Sequence, residues 1–584
     1  MNLTARRRLL AVARGEEPPD LVIVGGEVAN VYSGEWLAAN VEVAEGRIAY
    51  VGPRPPLVGA RTRVVQAEGR PVVPGYIEPH CHPWVVYSPL ALLERALADG
   101  TTTLVFDNLF FFVLLGPQGW RRLADRLREA PADVRWVVRL HPQWPYQGEE
   151  EDFAWERLRD LLAAPDVVGS GEVTRWPAVC QGDSHLLDAL GAVRASGKRA
   201  DGHMAGASYD RLCGLAAAGL DADHEAITGP QALDRLRLGL WVMLRFSSLR
   251  PDLPELVRFL CQAGVHTHRL LLTTDGAAPD FYQQRGVVAG ALEEAVRTGM
   301  DPMAALQAAT LNAATFLGLD GELGGIAPGR RAHLLLLPSR TGFRPELVLV
   351  DGRVVARDGR LVAPLPEVDW AGLGLRLPFA PPRRFEDPAL YHLPADRGGL
   401  PGMRLVNAVI TRSMDDNTPR VAAEAHSSGR EEPILAVLCD RMGRWMAKAR
   451  LAGLMPGLEG LATTFTTSTQ LLVLGRDPAS MAAAAGEVAR LGGGFALAEG
   501  GSVVWGAALP VGGMMTEGPF DEAVRIEREL GEHARRAGYR FHDILYTLLF
   551  LTCDFLPDLR LTPRGVMEVK SGRVVYPAQP MPGA

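Results

Sequence analysis

Two histidines one residue apart, His80 and His82, close a short apolar run that begins at Val72. Successive side chains of a strand point to opposite faces, so the two imidazoles share a face while Cys81 points away from it. Neutral imidazole nitrogens suit zinc, iron and manganese, so the pair reads as half of a metal site. A pair of satisfied core histidines fits the same spacing, and the decision rests on whether further donors follow.

Further donors do follow, and in a regular order. They are Glu172, then Asp201-Gly202-His203, then Asp223-His224-Glu225, then Thr274-Asp275-Gly276. Each ends a short strand-like run and precedes a helical pattern. That alternation predicts an α/β fold, a TIM-type (β/α)8 barrel, with its reactive groups at the C-terminal strand ends. His80 and His82 on the first strand, Glu172 on the fourth, His203 and His224 on the fifth and sixth, and Asp275 on the eighth converge on one mouth. Six such ligands could hold two cations. The remaining strands also end on polar groups: Asp107 and Asn108 after 101–106, His141 after 134–140, and Arg245 after 240–244.

The surroundings of this barrel bound the function. With 584 residues the chain has room for several domains, and its net charge of -7 shows no basic excess that would favour nucleic acid. Small-molecule partners are expected, and self-association into a homo-oligomer is left open. The apolar stretches at 9–13 and 110–115 are too short for an export signal or a membrane span. Six scattered cysteines without a Cys-x-x-Cys pair argue against a disulfide framework or a thiolate zinc site and fit a reducing cytoplasm. Residues 20–25, 41–51 and 333–362 alternate apolar and polar positions around glycine turns, the texture of antiparallel strands rather than of the barrel.

On these residues the chain resembles the amidohydrolase superfamily and, within it, the adenine deaminases. The wider likeness rests on the order His80, His82, Glu172, His203, His224, Asp275 and on Gly325-Ile326-Ala327-Pro328-Gly329 closing the barrel. The narrower one rests on Gly171-Glu172-Val173, Asp201-Gly202-His203 and Asp223-His224-Glu225, and on two C-terminal stretches. The first runs over 493–515 with Leu509, Pro510 and Gly513; the second over 549–569 with Phe550, Leu551, Pro557, Leu559, Leu561, Thr562 and Gly565. The resemblance implies that the two strand-rich flanks form one small β domain. The expected organisation is then 1–70 and 331–375 as that β domain, 71–330 as the metal-binding barrel, 376–401 as a linker, and 402–584 as a C-terminal α+β domain.

The resemblance also implies roles. A binuclear divalent centre of manganese, iron or zinc would be held by His80, His82, Glu172, His203, His224 and Asp275. Asp275 would also act as general base, with Glu225 as the acid that protonates a ring nitrogen. Many relatives bridge their metals with a carboxylated lysine. Here the nearest lysine, Lys198, lies five residues before His203, roughly 16 Å down an extended strand, which leaves Glu172 as the bridge. Asp107, Asn108, His141 and Arg245 are candidate contacts to a purine substrate.

The chain departs from the family pattern where substrate should lie. Asp107-Asn108-Leu109-Phe110 stands in place of Asp-Pro-His-Glu, and Arg245-Phe246-Ser247 in place of Arg-Glu-Gly. Thr466-Thr467-Ser468-Thr469-Gln470 replaces a His-Asp-Ser-His-Asn run. These changes, and residues 74–83, bring it closer to a divergent subgroup that includes N6-methyladenine deaminases. The expected reaction is hydrolytic deamination of adenine or an N6-substituted adenine. Hydrolysis of a cyclic amide or another aminated heterocycle on the same barrel is the alternative, and a non-catalytic ligand-binding relative is a third reading.

Overall fold

A computed structural model describes residues 1–374, 379, 383–392, 399–414 and 432–582. Eight parallel strands run in chain order round a barrel: Tyr76–Cys81, Thr101–Asp107, Asp133–Val138, Val167–Val173, Arg199–Gly202, Ala222–Asp223, Trp241–Arg245 and Leu270–Thr273. The Thr273 hydroxyl donates to the His80 carbonyl at 2.8 Å and so ties the eighth strand to the first. Ile77, Val105, Val137, Val168, Ala222, Met243 and Leu271 fill the interior. Beneath them Ala313, Ala314 and Phe316 of the helix Leu311–Phe316 plug the end opposite the reactive groups. The sequence at 304–317 has the composition of one closing helix, but it is broken at Thr310, whose φ of -137° is not helical, into Pro302–Ala309 and Leu311–Phe316.

Both flanks contribute to one nine-stranded sheet. Leu21–Asn30 pairs antiparallel with Glu35–Ala44, and Pro71–Pro74 pairs antiparallel with Leu334–Leu336 from the far side of the barrel. The apolar run before His80 is therefore two strands, where its continuous hydrophobicity suggested one. Gly75 is the break, because a Cβ there would sit 2.1 Å from Thr102 Oγ1 and 3.1 Å from His333 Cβ. A side chain at that position would push the small sheet off the barrel.

The C-terminal part carries a second nine-stranded sheet, whose path runs from Thr411–Ser413 to Ser502–Ala508 with Gln579–Pro580 paired beside it, covered by the helix Pro478–Leu491. A three-stranded sheet, Leu559–Thr562, Gly565–Glu568 and Arg573–Pro577, completes it. The helix Phe520–Arg536 joins it to the barrel, with Arg528 pairing to Asp280 at 2.6 Å. The linker expected at 376–401 lies partly outside the described residues. Its described portion is packed rather than free, since Phe385, Leu390 and Tyr391 are buried against Val437, Met481 and Ala485 of the C-terminal sheet and helix. No helix among the described residues is long and apolar enough to cross a membrane.

Replacing Gly75 by alanine should lower stability by about 1–3 kcal/mol through overpacking at this junction. Thermal unfolding should show a Tm drop of several degrees; an unchanged Tm would mean that the two sheets part without cost.

Candidate metal centre at the barrel mouth

All the donors predicted from sequence meet at the C-terminal end of the barrel. His80 Nε2 and His82 Nε2 lie 3.1 and 3.3 Å from one oxygen of Asp275. His203 Nδ1 and His224 Nε2 lie 2.6 and 3.2 Å from one oxygen of Glu172, while His82 Nε2 is 3.6 Å from the other. Glu172 thus presents its two oxygens to different imidazoles. Two separate triads, His80, His82, Asp275 and Glu172, His203, His224, each have their donor atoms within 4.8 Å of one another. Imidazole and carboxylate donors converging in a buried pocket form a set that divalent transition ions take, so these residues fit a metal centre. The Cys81 thiol, as alternation requires, points away and donates to the Val105 carbonyl.

Local backbone explains how these groups get so close. Asp275 adopts φ 54° and Gly276 φ 69°, a left-handed turn at the end of the eighth strand. A Cβ on Gly276 would lie 2.7 Å from His82 Cβ, so only glycine lets this turn close on the first strand. Gly171, before Glu172, likewise leaves room for the Arg139 side chain, which a Cβ would meet at 2.8 Å.

Three residues to which the sequence assigned no role of their own organise the cluster. Arg139 is fully buried and spans Asp107 and Glu172, at 2.6 and 2.5 Å. Asp201 sits behind two imidazoles, 2.8 Å from His80 Nδ1 and 3.6 Å from His224 Nδ1, so both rings turn Nε2 inward. Gln143 donates to Glu172 Oε1 at 2.9 Å. A signal for Arg139 was present: a charged residue between Val138 and Leu140, with a glycine in the neighbouring strand. Asp201 stood in a quoted motif, but linear spacing could not show that it faces His80, 121 positions earlier.

Charge balance follows from these contacts. Burial opposes ionisation of Glu172, yet Arg139 and His203 hold its carboxyl well below the usual range. Burial likewise opposes ionisation of Asp275, and His224 and Arg245 hold it well below. Burial and His224 work against a charge on His80, but Asp201 and Asp275 outweigh them and raise its imidazole to about 10. In the metal-free cluster, then, carboxylates and imidazolium compensate one another.

The expected substrate contacts divide. Arg245 lies in the site, 2.6 Å from Glu225 and 2.7 Å from Asp275. Glu225 also accepts from Arg250 at 2.9 Å, and although burial pushes its carboxyl up, Arg245 brings it below the ordinary value. Asp107 lies beneath the pocket, 3.3 Å from His82 Nδ1. Asn108 and His141 serve backbone instead: Asn108 accepts from the Arg139 N–H at 2.9 Å, and the His141 nitrogens face the Pro142 carbonyl and the Arg175 N–H. Phe110 packs on Trp84 with ring centres 4.2 Å apart, and Trp84 packs on His82 at 5.0 Å. Phe246 packs on Phe281 and beneath Arg285. Lys198 donates to the Leu162 carbonyl, and the second His-x-His pair, His266 and His268, is exposed beside the start of the eighth strand; neither approaches the centre.

Residues 72–355 match the model of the amidohydrolase family, and residues 408–573 match the adenine deaminase C-terminal domain. A protein of Halalkalibacterium halodurans, provisionally named an adenine deaminase, is 34% identical over 98% of this chain and 97% of its own length. The adenine deaminase of Rubrobacter xylanophilus is 34% identical over 96% and 95%, and that of Moorella thermoacetica 31% over 97% of each chain. Among solved structures, a D-hydantoinase from Thermus aligns with a TM-score of 0.45 at 15% identity, covering 59% of this chain and 97% of that one.

Asp201→Asn keeps the size of the side chain but removes the charge that orients His80 and His224. Chelator-competition titration should show metal affinity about 10- to 100-fold weaker, with the fold intact by circular dichroism; unchanged affinity would deny Asp201 this role.

Proposed function

The chain belongs to the adenine deaminase family within the amidohydrolases, and from that membership we propose that it hydrolyses the C6–N bond of adenine or an N6-substituted adenine. Water adds at C6 and ammonia or an amine leaves, giving hypoxanthine. The observation that carries this reading is the complete donor set, His80, His82, Glu172, His203, His224 and Asp275, gathered at one mouth in a chain that matches its relatives nearly end to end.

The six donors would hold a pair of divalent ions, iron, manganese or zinc, and Glu172, whose two oxygens face different imidazoles, would be the carboxylate they share. When bound, such a pair lowers the pKa of water towards neutrality. Asp275 is the proton carrier. One oxygen faces His80 and His82 and the other faces Arg245, so it is held ionised and ready to accept a proton from the attacking water. It then returns that proton to the departing amine. Arg245 and Arg250 keep Glu225 ionised on both oxygens in the free protein, so Glu225 can protonate a ring nitrogen only after substrate displaces one of them and a proton is taken up.

Trp84 and Phe110, both buried, form an aromatic layer behind His82, and we place the leaving group's substituent on that side of the pocket. An apolar wall gains about 0.8 kcal/mol for a buried methyl-sized group, so a methyl on the exocyclic nitrogen is accommodated rather than rejected.

Metal-loaded protein should carry about two transition ions per chain by elemental analysis and release ammonia from adenine or methylamine from N6-methyladenine. Asp275→Asn should cut kcat by about 100-fold or more while leaving the fold intact; substantial residual turnover would move the base elsewhere. In steady-state comparison of the two substrates, kcat/KM for adenine should not exceed that for N6-methyladenine by more than about tenfold. A larger gap would remove the apolar-wall argument and leave the deaminase assignment in place.

A further inference from the structure

The two C-terminal stretches that carry the family likeness, with residues just beside them, touch the barrel mouth. Met515 bridges Val86, and the Thr516 N–H donates to the Val86 carbonyl at 2.7 Å, four residues past His82. Further on, the Tyr546 hydroxyl donates to the carbonyl of Gly276, next to Asp275. The Asp554 N–H donates to the Gln143 carbonyl at 2.9 Å, and the Gln143 side chain in turn holds Glu172. Asp554 Oδ2 pairs with Arg175 at 2.7 Å, two residues past the fourth strand. The segment that departs from the family braces this loop from behind. Thr467 donates to the Leu549 carbonyl from its N–H at 2.9 Å and its hydroxyl at 2.7 Å, and the Ser468 N–H donates to the Thr552 hydroxyl at 3.0 Å.

Between these anchors stands Phe555. Its ring lies 5.2 Å from that of His203, edge-on at 76°, and 5.5 Å from Phe550, edge-on at 79°. Neither neighbour lies flat against it, and the residue is half-buried. Of the six expected metal ligands, His203 and Asp275 keep the largest side-chain exposure, 13% and 14%, so the cluster opens on their side. Phe555 stands at the His203 edge of that opening and Tyr546 at the Asp275 edge.

We propose that the C-terminal domain supplies one wall of the substrate pocket, and that Phe555 is the ring on which a flat heteroaromatic base stacks while C6 faces Asp275. The proposal rests on the purine reading above. Stacking on an aromatic side chain holds a planar base through its face, whatever its substituents. The Arg175–Asp554 pair and the Gln143 carbonyl fix the height of that ring over the cluster. The domain is thus part of the substrate site, although no metal ligand comes from it.

The test compares metal-loaded wild type with Phe555→Ala, Phe555→Leu and Phe555→Tyr on adenine and N6-methyladenine. The wall predicts that Phe555→Ala raises KM about tenfold or more and changes kcat by less than about threefold. Metal content and Tm should stay at wild-type values. Phe555→Leu should fall between, and Phe555→Tyr should restore KM to within about threefold. A KM within twofold of wild type in Phe555→Ala overturns the wall and leaves the deaminase reading standing. A collapse of kcat with loss of metal also overturns it, because Phe555 would then act only by packing His203. A wild type inactive on every purine overturns the deaminase reading and the wall together.

Discussion

Glu172 is a carboxylate enclosed by imidazoles and a guanidinium, and the rest of the molecule has to keep that enclosure closed. An unpaired charge at this depth would not survive burial, so each neighbour must be present and correctly turned. Arg139 compensates one oxygen, His203 and His224 the other, and Asp201 turns His224 and His80 from behind. Together with Glu172 these groups come from five different strands, Asp201 and His203 sharing the fifth. Barrel closure, the glycines at 171 and 276, and the left-handed turn at Asp275 serve the same end: they bring strand ends within reach of one cluster a few ångströms across.

The sequence made the converging donors legible because each sits at a period boundary, where an apolar strand ends and a helical pattern begins. His80, His82, Glu172, His203, His224 and Asp275 needed only their order along the chain. Their supporting residues could not be read the same way. Asp201 matters because it faces His80 across the barrel interior, and Phe555 because a separate domain folds down onto His203; neither relation leaves a mark in linear spacing. Gly75 shows a third kind of limit. The apolar run from Val72 is continuous in composition, yet a steric contact with Thr102 divides it between two sheets. Asn108 and His141 occupy strand ends as expected but spend their polar atoms on backbone, since a strand end has peptide groups to satisfy as well as chemistry to perform.

The two arginines on Glu225 bear on how the site rests without substrate. Arg245 reaches both Glu225 and Asp275 with one nitrogen, and so couples the two carboxylates that the reaction would use in succession. A base bound near Asp275 must compete for that guanidinium. In the proposed reaction, substrate entry and carboxylate protonation would therefore be linked events rather than independent ones.

The small β domain has a consequence for biosynthesis. Pro71–Pro74 finds its partner in Leu334–Leu336, about 260 residues later, and the strands that finish this sheet end only at Leu361. One edge of the strand leading directly into the first barrel strand can pair early with Leu21–Asn30, but the other waits, as the chain emerges, for the entire barrel and its far flank to be made. Contacts of such long sequence separation are slow to form. The nascent barrel spends that interval with an unpaired strand edge beside Gly75, and this edge is where a newly made chain is most open to wrong pairing or to a chaperone.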